Sequence, residues 1–264
     1  MNKTNIEWTD FSWNPVTGCL HACRSTYCYN TMKSTSPLNR FGAQYFNRDG
    51  IKVSEKKWRK KETGKCHIAQ KGEIYPFGYD PTFYPHRLGE PLKEKMPSRI
   101  FTVDTGDLFG EWVPEKWIKE VLDVIRKCPH HTFQLLTKNP KRYSEFDIPD
   151  NAWIGTTINS DDDKERVDQL RNAKAKVKYL SIEPLMGEVT ISFDGLQWII
   201  VGAMTGKNPF VPKPEWITKI IKEADRHDIP VFTKENIRLL TPEMRCEFPG
   251  RKYTEIEAAQ LKEQ

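Results

Sequence analysis

The sequence predicts an α/β fold built on a mostly parallel sheet, and three observations carry the prediction. Seven short apolar runs recur along the chain, helix-length segments separate several of them, and each run ends in a polar or glycine-bearing turn. Strands that alternate with helices pair in parallel, because a helical crossover returns the chain to the same end of the sheet. Near-continuous apolar runs fit strands covered on both faces. Six or seven such units suit a full or partial barrel, with a doubly wound open sheet as the runner-up. At 264 residues, one domain with insertions is expected over residues 1–264.

Residues 2–10 are polar apart from Ile6 and Trp8 and form a lead-in. Residues 13–18, WNPVTG, give a first strand that Pro15 marks as irregular or edge-placed. Residues 29–33 open a helix that STSPLN breaks, and residues 34–97 hold a basic stretch and then an aromatic, turn-rich one, expected as an inserted lobe. Periodicity then becomes strong. RIFTV at 99–103 runs into DTGDLFG, and residues 114–127 place Trp117, Ile118, Val121, Leu122, Val124 and Ile125 at helical spacing, with Pro114 suited to the first turn. HTFQLL at 131–136 ends in TKNP and a short helix; AWIGT at 152–156 ends in TINSDDD, whose acids cap a helix at 164–173. VKYLSI at 177–182 ends in EPLMG, WIIV at 198–201 in GAMTG, and a helix at 214–227 leads to PVF and TKEN. Residues 235–264 form a C-terminal extension.

A parallel barrel converges the ends of its strands on one mouth. Here those ends carry Cys19, Asp107, Lys138, Thr156, Glu183, Gly202 and Lys234. Glu183 follows YLSI and precedes Pro184, which places it at a strand end, either at a functional site or in an ion pair with Lys138 or Lys234. Residues 104–107, DTGD, offer backbone N–H groups and carboxylates to an amine or hydroxyls, and Gly106 permits a close approach; a plain tight turn is the alternative.

Cys19, Cys23 and Cys28 stand within ten residues at the spacing C-x3-C-x4-C. A structural zinc site takes four Cys or His ligands, so this loop lacks one or leaves a metal position open; His21 is the candidate to complete a zinc site. Cys66, Cys128 and Cys246 are scattered and read as isolated thiols. The N-terminus has no apolar signal core and no run approaches the roughly 18 apolar residues of a membrane span, so a reducing cytoplasm is expected. The net charge is +5, and residues 40–66 hold nine basic and three acidic residues, leaving the rest of the chain near neutral. Lys56, Lys57, Arg59, Lys60 and Lys61 are the candidate phosphate contacts, against a plain solvated face. Trp58, Tyr75, Phe77 and Tyr79 either offer stacking platforms for bases or build the lobe's own core. No HExxH, phosphate-cradling GxxxxGK[ST] loop or Ser-His-Asp order appears.

The phrases WNPVTGC, CYN, PTFYPHRLGEPL, GDLFGEWVP, QLLTKNPKRY, WIGTTI, LSIEPLMG and WIIVG resemble a phage- and bacteria-associated three-cysteine family of largely unassigned function, related to radical S-adenosylmethionine enzymes. The resemblance implies a partial (β/α)6-type barrel. It implies a 4Fe-4S cluster on Cys19, Cys23 and Cys28, with the fourth iron left to S-adenosylmethionine, whose cleavage gives a radical that abstracts hydrogen from a substrate; the basic stretch at 40–66 suggests a nucleic acid or nucleotide. By position, Thr105, Gly106 and Asp107 would face the methionyl end and Gly202 the adenine, while Lys138, Thr156 and Glu183 would line the cavity; Glu183, Lys138 and Lys234 are the candidate catalytic side chains. A reducing donor such as flavodoxin or ferredoxin is the implied partner. The alternatives are a zinc-stabilised nucleic-acid-binding protein without catalysis, or a radical enzyme acting on a peptide or small molecule. Two departures stand out: two extra residues separate Cys23 from Cys28, and GAMTG lacks the carboxylate often found after the sixth strand.

Overall fold

The computed structural model describes residues 1–21, 65–78, 80–206, 208–241 and 243–250. Eleven strands are named in chain order: β1 (Asn2–Lys3), β2 (Phe11–Trp13), β3 (Val16–Thr17), β4 (His67–Ile68), β5 (Thr82–Phe83), β6 (Arg99–Thr102), β7 (Thr132–Thr137), β8 (Ala152–Ile158), β9 (Val177–Ile182), β10 (Trp198–Val201) and β11 (Val231–Thr233). The main sheet runs β1-β2-β6-β7-β8-β9-β10-β11, and every pair from β2 onward is parallel; only β1 runs antiparallel, on β2. Among the described residues, seven parallel strands in sequence order, with no pairing between the first and last, make a partial barrel of the expected type.

The sheet curls enough for its two ends to meet. Arg99 on β6 places its guanidinium 4.3 Å from the ring of Phe248, beyond β11, and Glu235 donates its backbone N–H to Glu7 at 2.8 Å. Three α-helices lie among the described residues: α1 (Glu115–Lys127), α2 (Lys164–Asn172) and α3 (Pro214–Arg226). Each forms as its sequence dictates. In α1 the six apolar residues at helical spacing are all buried, Glu115 sits in the first turn and Arg126 and Lys127 in the last, matching the helix dipole. Pro114 stands one position earlier than expected, as an extended N-cap. The β7–β8 connection is the short 3-10 turn Pro140–Glu145, and the fifteen residues between β9 and β10 hold no helix.

The expected first strand is two strands. Trp13 ends β2, and Val16–Thr17 leaves to pair with β5 in a three-stranded sheet ordered β3-β5-β4. Pro15 is the physical reason: it has no N–H for the ladder, and its carbonyl instead accepts from Tyr84 N–H at 2.8 Å. Residues 65–78 and 80–97 of the expected lobe therefore lie against the barrel beside β2. Phe77 is buried there, its ring stacked on His67 at 3.8 Å, so it builds local core. Trp58 and Tyr79 lie outside the described residues.

Two apolar cores flank the sheet. Ile100, Leu135, Ile154, Leu180, Ile199 and Val231 point toward the helices. On the inner face Phe101, Tyr179, Trp198, Ile200 and Phe232 join Trp8 and Phe248 in a second cluster. The register explains the space this needs: Gly155 lies opposite Tyr179, and a Cβ at Gly155 would sit 2.5 Å from that ring.

Candidate functional site at the barrel mouth

The carboxyl ends of β2, β6 and β7 are tied together by side chains that receive N–H and O–H groups from their neighbours. Val103, just past β6, has φ 65°, a left-handed conformation that a β-branched residue adopts only under constraint, at about 1–3 kcal/mol. Alternation would put Val103 on the inner face after Phe101. The left-handed turn instead packs it in the helix-side core and brings the Asp104 carboxylate onto Asn14 and Ser12. Burial pushes the Asp104 carboxyl up from its ordinary value, against the hydrogen bonds from Asn14 and Ser12. Asn14 also accepts from the Thr105 N–H and hydroxyl at 3.2 and 2.9 Å.

Asp107 is 3% exposed and is the hub of this end. Its Oδ1 accepts from the Thr137 hydroxyl at 2.6 Å and from Phe109 N–H at 3.0 Å; its Oδ2 accepts from Lys138 N–H at 3.0 Å and lies 2.7 Å from His21 Nε2. Burial works to raise its carboxyl, but the hydrogen bond and charge of His21, with Thr137 and Lys138, outweigh it and hold it below the usual carboxylate value. His21 also meets the Trp112 ring edge-on at 4.8 Å. The chain entering the cysteine loop is pinned a second time: Gly18 N–H donates to Thr105 O at 3.0 Å, and a Cβ at Gly106 would lie 2.7 Å from Gly18 O. Gly106 thus does allow a close approach, and what approaches is Gly18, with Cys19 half-buried one residue on.

Across the mouth, Lys234 donates to Glu183, and both side chains are largely buried. Gly202 makes the pair possible: a Cβ there would lie 2.9 Å from Lys234 Cδ and 3.3 Å from Glu183 Cγ and Cδ. The ion pair anticipated for Glu183 is therefore present, with Lys234 as the partner. Thr156 is turned the other way. It is fully buried between Ile154 and Ile158 of the helix-side core and donates to Thr137 O at 2.8 Å; Thr157 is its neighbour on the inner face. The register of β8 decides this, since a shift of one residue reverses the face.

Cys23, Cys28, Lys56, Lys57, Arg59, Lys60 and Lys61 lie outside the described residues. Of the other named residues, Cys19, Thr105, Gly106, Asp107 and Lys138 gather on the β2–β6–β7 side and Glu183, Gly202 and Lys234 on the β9–β10–β11 side. Asn14, Ser12 and Thr137 are additions that sequence reasoning did not single out, and Asp104 of the DTGD turn is engaged by the first two. Asn14 had a visible signal, standing inside the WNPVTGC phrase; Val103 had none, because an ordinary strand valine looks the same.

A partial parallel barrel with the start of a three-cysteine loop docked at its carboxyl mouth is the class that fold and site define. The chain belongs to the family described as "Protein of unknown function (DUF5131)", whose profile matches residues 3–245. No curated protein matches the sequence. Two solved chains of spore photoproduct lyase are similar at a TM-score of 0.44: a cysteine-to-alanine variant with a dinucleoside spore photoproduct, at 12% identity, and a tyrosine-to-phenylalanine variant, at 11%. Each alignment covers 99% of this chain and 73% of the other.

Proposed function

We propose that this chain is a radical S-adenosylmethionine enzyme whose 4Fe-4S cluster is held by Cys19, Cys23 and Cys28. The observation that carries the reading is the placement of the Cys19 segment: it is pinned at the carboxyl mouth of the barrel, and the loop's histidine is engaged by Asp107 through Nε2. The residues fit such a group. Thiolates are the donors iron-sulfur clusters take, and the loop supplies three of them, one short of the four that a closed site uses. When bound, the cluster supplies the electron that cleaves S-adenosylmethionine and so begins hydrogen abstraction. The chain's own contributions are positional. Asp107, Thr105 and Gly106 seat the cysteine loop, and the Glu183–Lys234 pair over Gly202 offers one acceptor and one donor group to whatever enters the opposite side. The basic run at Lys56, Lys57, Arg59, Lys60 and Lys61 suits a nucleic acid or nucleotide substrate.

Anaerobic reconstitution with ferrous iron and sulfide tests the reading. A brown protein with about four irons per chain that forms 5′-deoxyadenosine from S-adenosylmethionine under reduction by flavodoxin or ferredoxin is expected. A colourless chain that retains one zinc would replace it with the zinc-stabilised binding protein. For the substrate class, oligonucleotide binding should weaken steeply with salt, and changing Lys56, Lys57, Lys60 and Lys61 together to Ala should flatten that slope by about four. An unchanged slope removes nucleic acid from the proposal and leaves a peptide or small molecule.

A further inference from the structure

Resting on that reading and deepening it, we infer that Asp107 and His21 form a latch that positions Cys19 for metal loading, so that both act on Cys19 as positioning residues. Three features converge. Asp107 is buried and already satisfied by three groups of its own neighbourhood, Thr137, Phe109 N–H and Lys138 N–H, so its fourth bond to His21 is made at a site organised without it. A charge-assisted bond to a buried carboxylate of fixed orientation is among the stronger polar contacts a loop can make. His21 is separated from Cys19 by a single residue, and Gly18, on the other side of Cys19, is held to Thr105 and closes against Gly106. Cys19 is thus bracketed by two anchors on one turn, the turn that Val103 sets in its left-handed conformation.

The bracket has a chemical consequence. A metal-binding loop gains affinity when its ligands are held before the metal arrives, because the ordering entropy is then not charged to binding. The C-x3-C-x4-C loop is longer than the usual radical-enzyme spacing, and the latch constrains its first half, where Cys19 lies. The Nε2 of His21 faces the Asp107 carboxylate at 2.7 Å, and that bond fixes the backbone two residues beyond Cys19.

The test uses His21→Asn and Asp107→Asn in the full chain, with His227→Asn as the control; His227 also lies against a carboxylate, Glu223 at 3.0 Å, on α3. Two readouts are taken: iron bound per chain at limiting iron after anaerobic reconstitution, and the rate at which iodoacetamide alkylates Cys19 in the iron-free chain well below the melting temperature. The latch predicts that each variant needs about 10-fold more iron for half-loading, that the double variant is no worse than the worse single, and that Cys19 alkylates faster than in the parent, while His227→Asn changes neither. Parent-like iron loading together with parent-like Cys19 reactivity in His21→Asn overturns the inference. If Asp107→Asn does not fold, His21→Asn carries the test alone, since it leaves the other three bonds of Asp107 in place. If the parent chain takes up no iron, the proposed function fails, and Cys19 reactivity still decides the latch.

Discussion

The two ends of the barrel's interior use the same strands for opposite purposes. Toward the amino end, Trp8, Trp198, Tyr179, Phe232 and Phe248 fill the space with rings, Trp8 meeting Phe101 at 4.7 Å and Trp198 meeting Phe248 at 5.3 Å. At the carboxyl end the inner positions turn small or polar, with Gly202, Glu183, Lys234 and Asp104. The difference shows how a short strand divides its labour. One end buries apolar area and stabilises the fold, and the other holds polar groups whose burial needs partners.

That contrast can be broken from either end. The largest effect is expected at the mouth: Cys19→Ala should abolish iron incorporation while leaving the melting temperature of the metal-free chain nearly unchanged, measured by iron assay and circular dichroism. Trp198→Ala should do the reverse, costing about 3–5 kcal/mol in denaturant unfolding, because it removes a fully buried ring packed against several others. Iron bound per folded chain should stay at the parent level; a selective loss of iron would mean that the two ends are not separable. Gly155→Ala should cost about 1–3 kcal/mol, since the new methyl meets the Tyr179 ring, which is fully buried against Trp198 and cannot move aside cheaply.

The smallest effect is expected away from both ends and depends on pH. His131 is 1% exposed; its Nδ1 accepts from Ser98 N–H at 3.2 Å and its Nε2–H donates to Pro91 O at 3.3 Å, which uses the neutral ring. Burial, aided by the charge of His130, lowers its pKa from 6.5. The unfolded chain therefore takes up this proton first, so its contribution to stability is complete above about 6.5 and declines as pH falls toward the depressed folded value. Comparing unfolding free energies at about pH 7.5 and about pH 5.5 should show a fall that is smaller in His131→Gln. An equal fall in both would assign the acid sensitivity to other groups.

Much of the fold could be read from residues alone, because its signals are local. Helix α1 announced itself through Trp117, Ile118, Val121 and Leu122, and β9 through VKYLSI ahead of Glu183. The division of residues 13–18 between two sheets could not be read, since Pro15 marks an irregularity without saying where the chain goes next. For the site, Asp107, Glu183 and Lys234 were recognisable as strand-end polar residues, but their partners were not. His21 was weighed as a metal ligand from its place between two cysteines, and its engagement by Asp107 spans 86 residues of sequence. Thr156 was chosen one residue from the inner face because β8 is buried on both faces and places two threonines side by side, so the sequence carries no alternation from which to read their facing.

What the sequence determined by itself was the class of fold, the order of its strands and helices, and the presence of three thiols near the end of the first strand. These follow from spacing and chemistry within short windows, where periodicity and turn residues act locally. What only the tertiary structure decided was pairing: His21 with Asp107, Glu183 with Lys234 over Gly202, Asp104 with Asn14. Such partners are selected by which strand ends the curled sheet brings within about 3 Å, and a hydrogen bond or ion pair depends on that distance, whatever the separation along the chain.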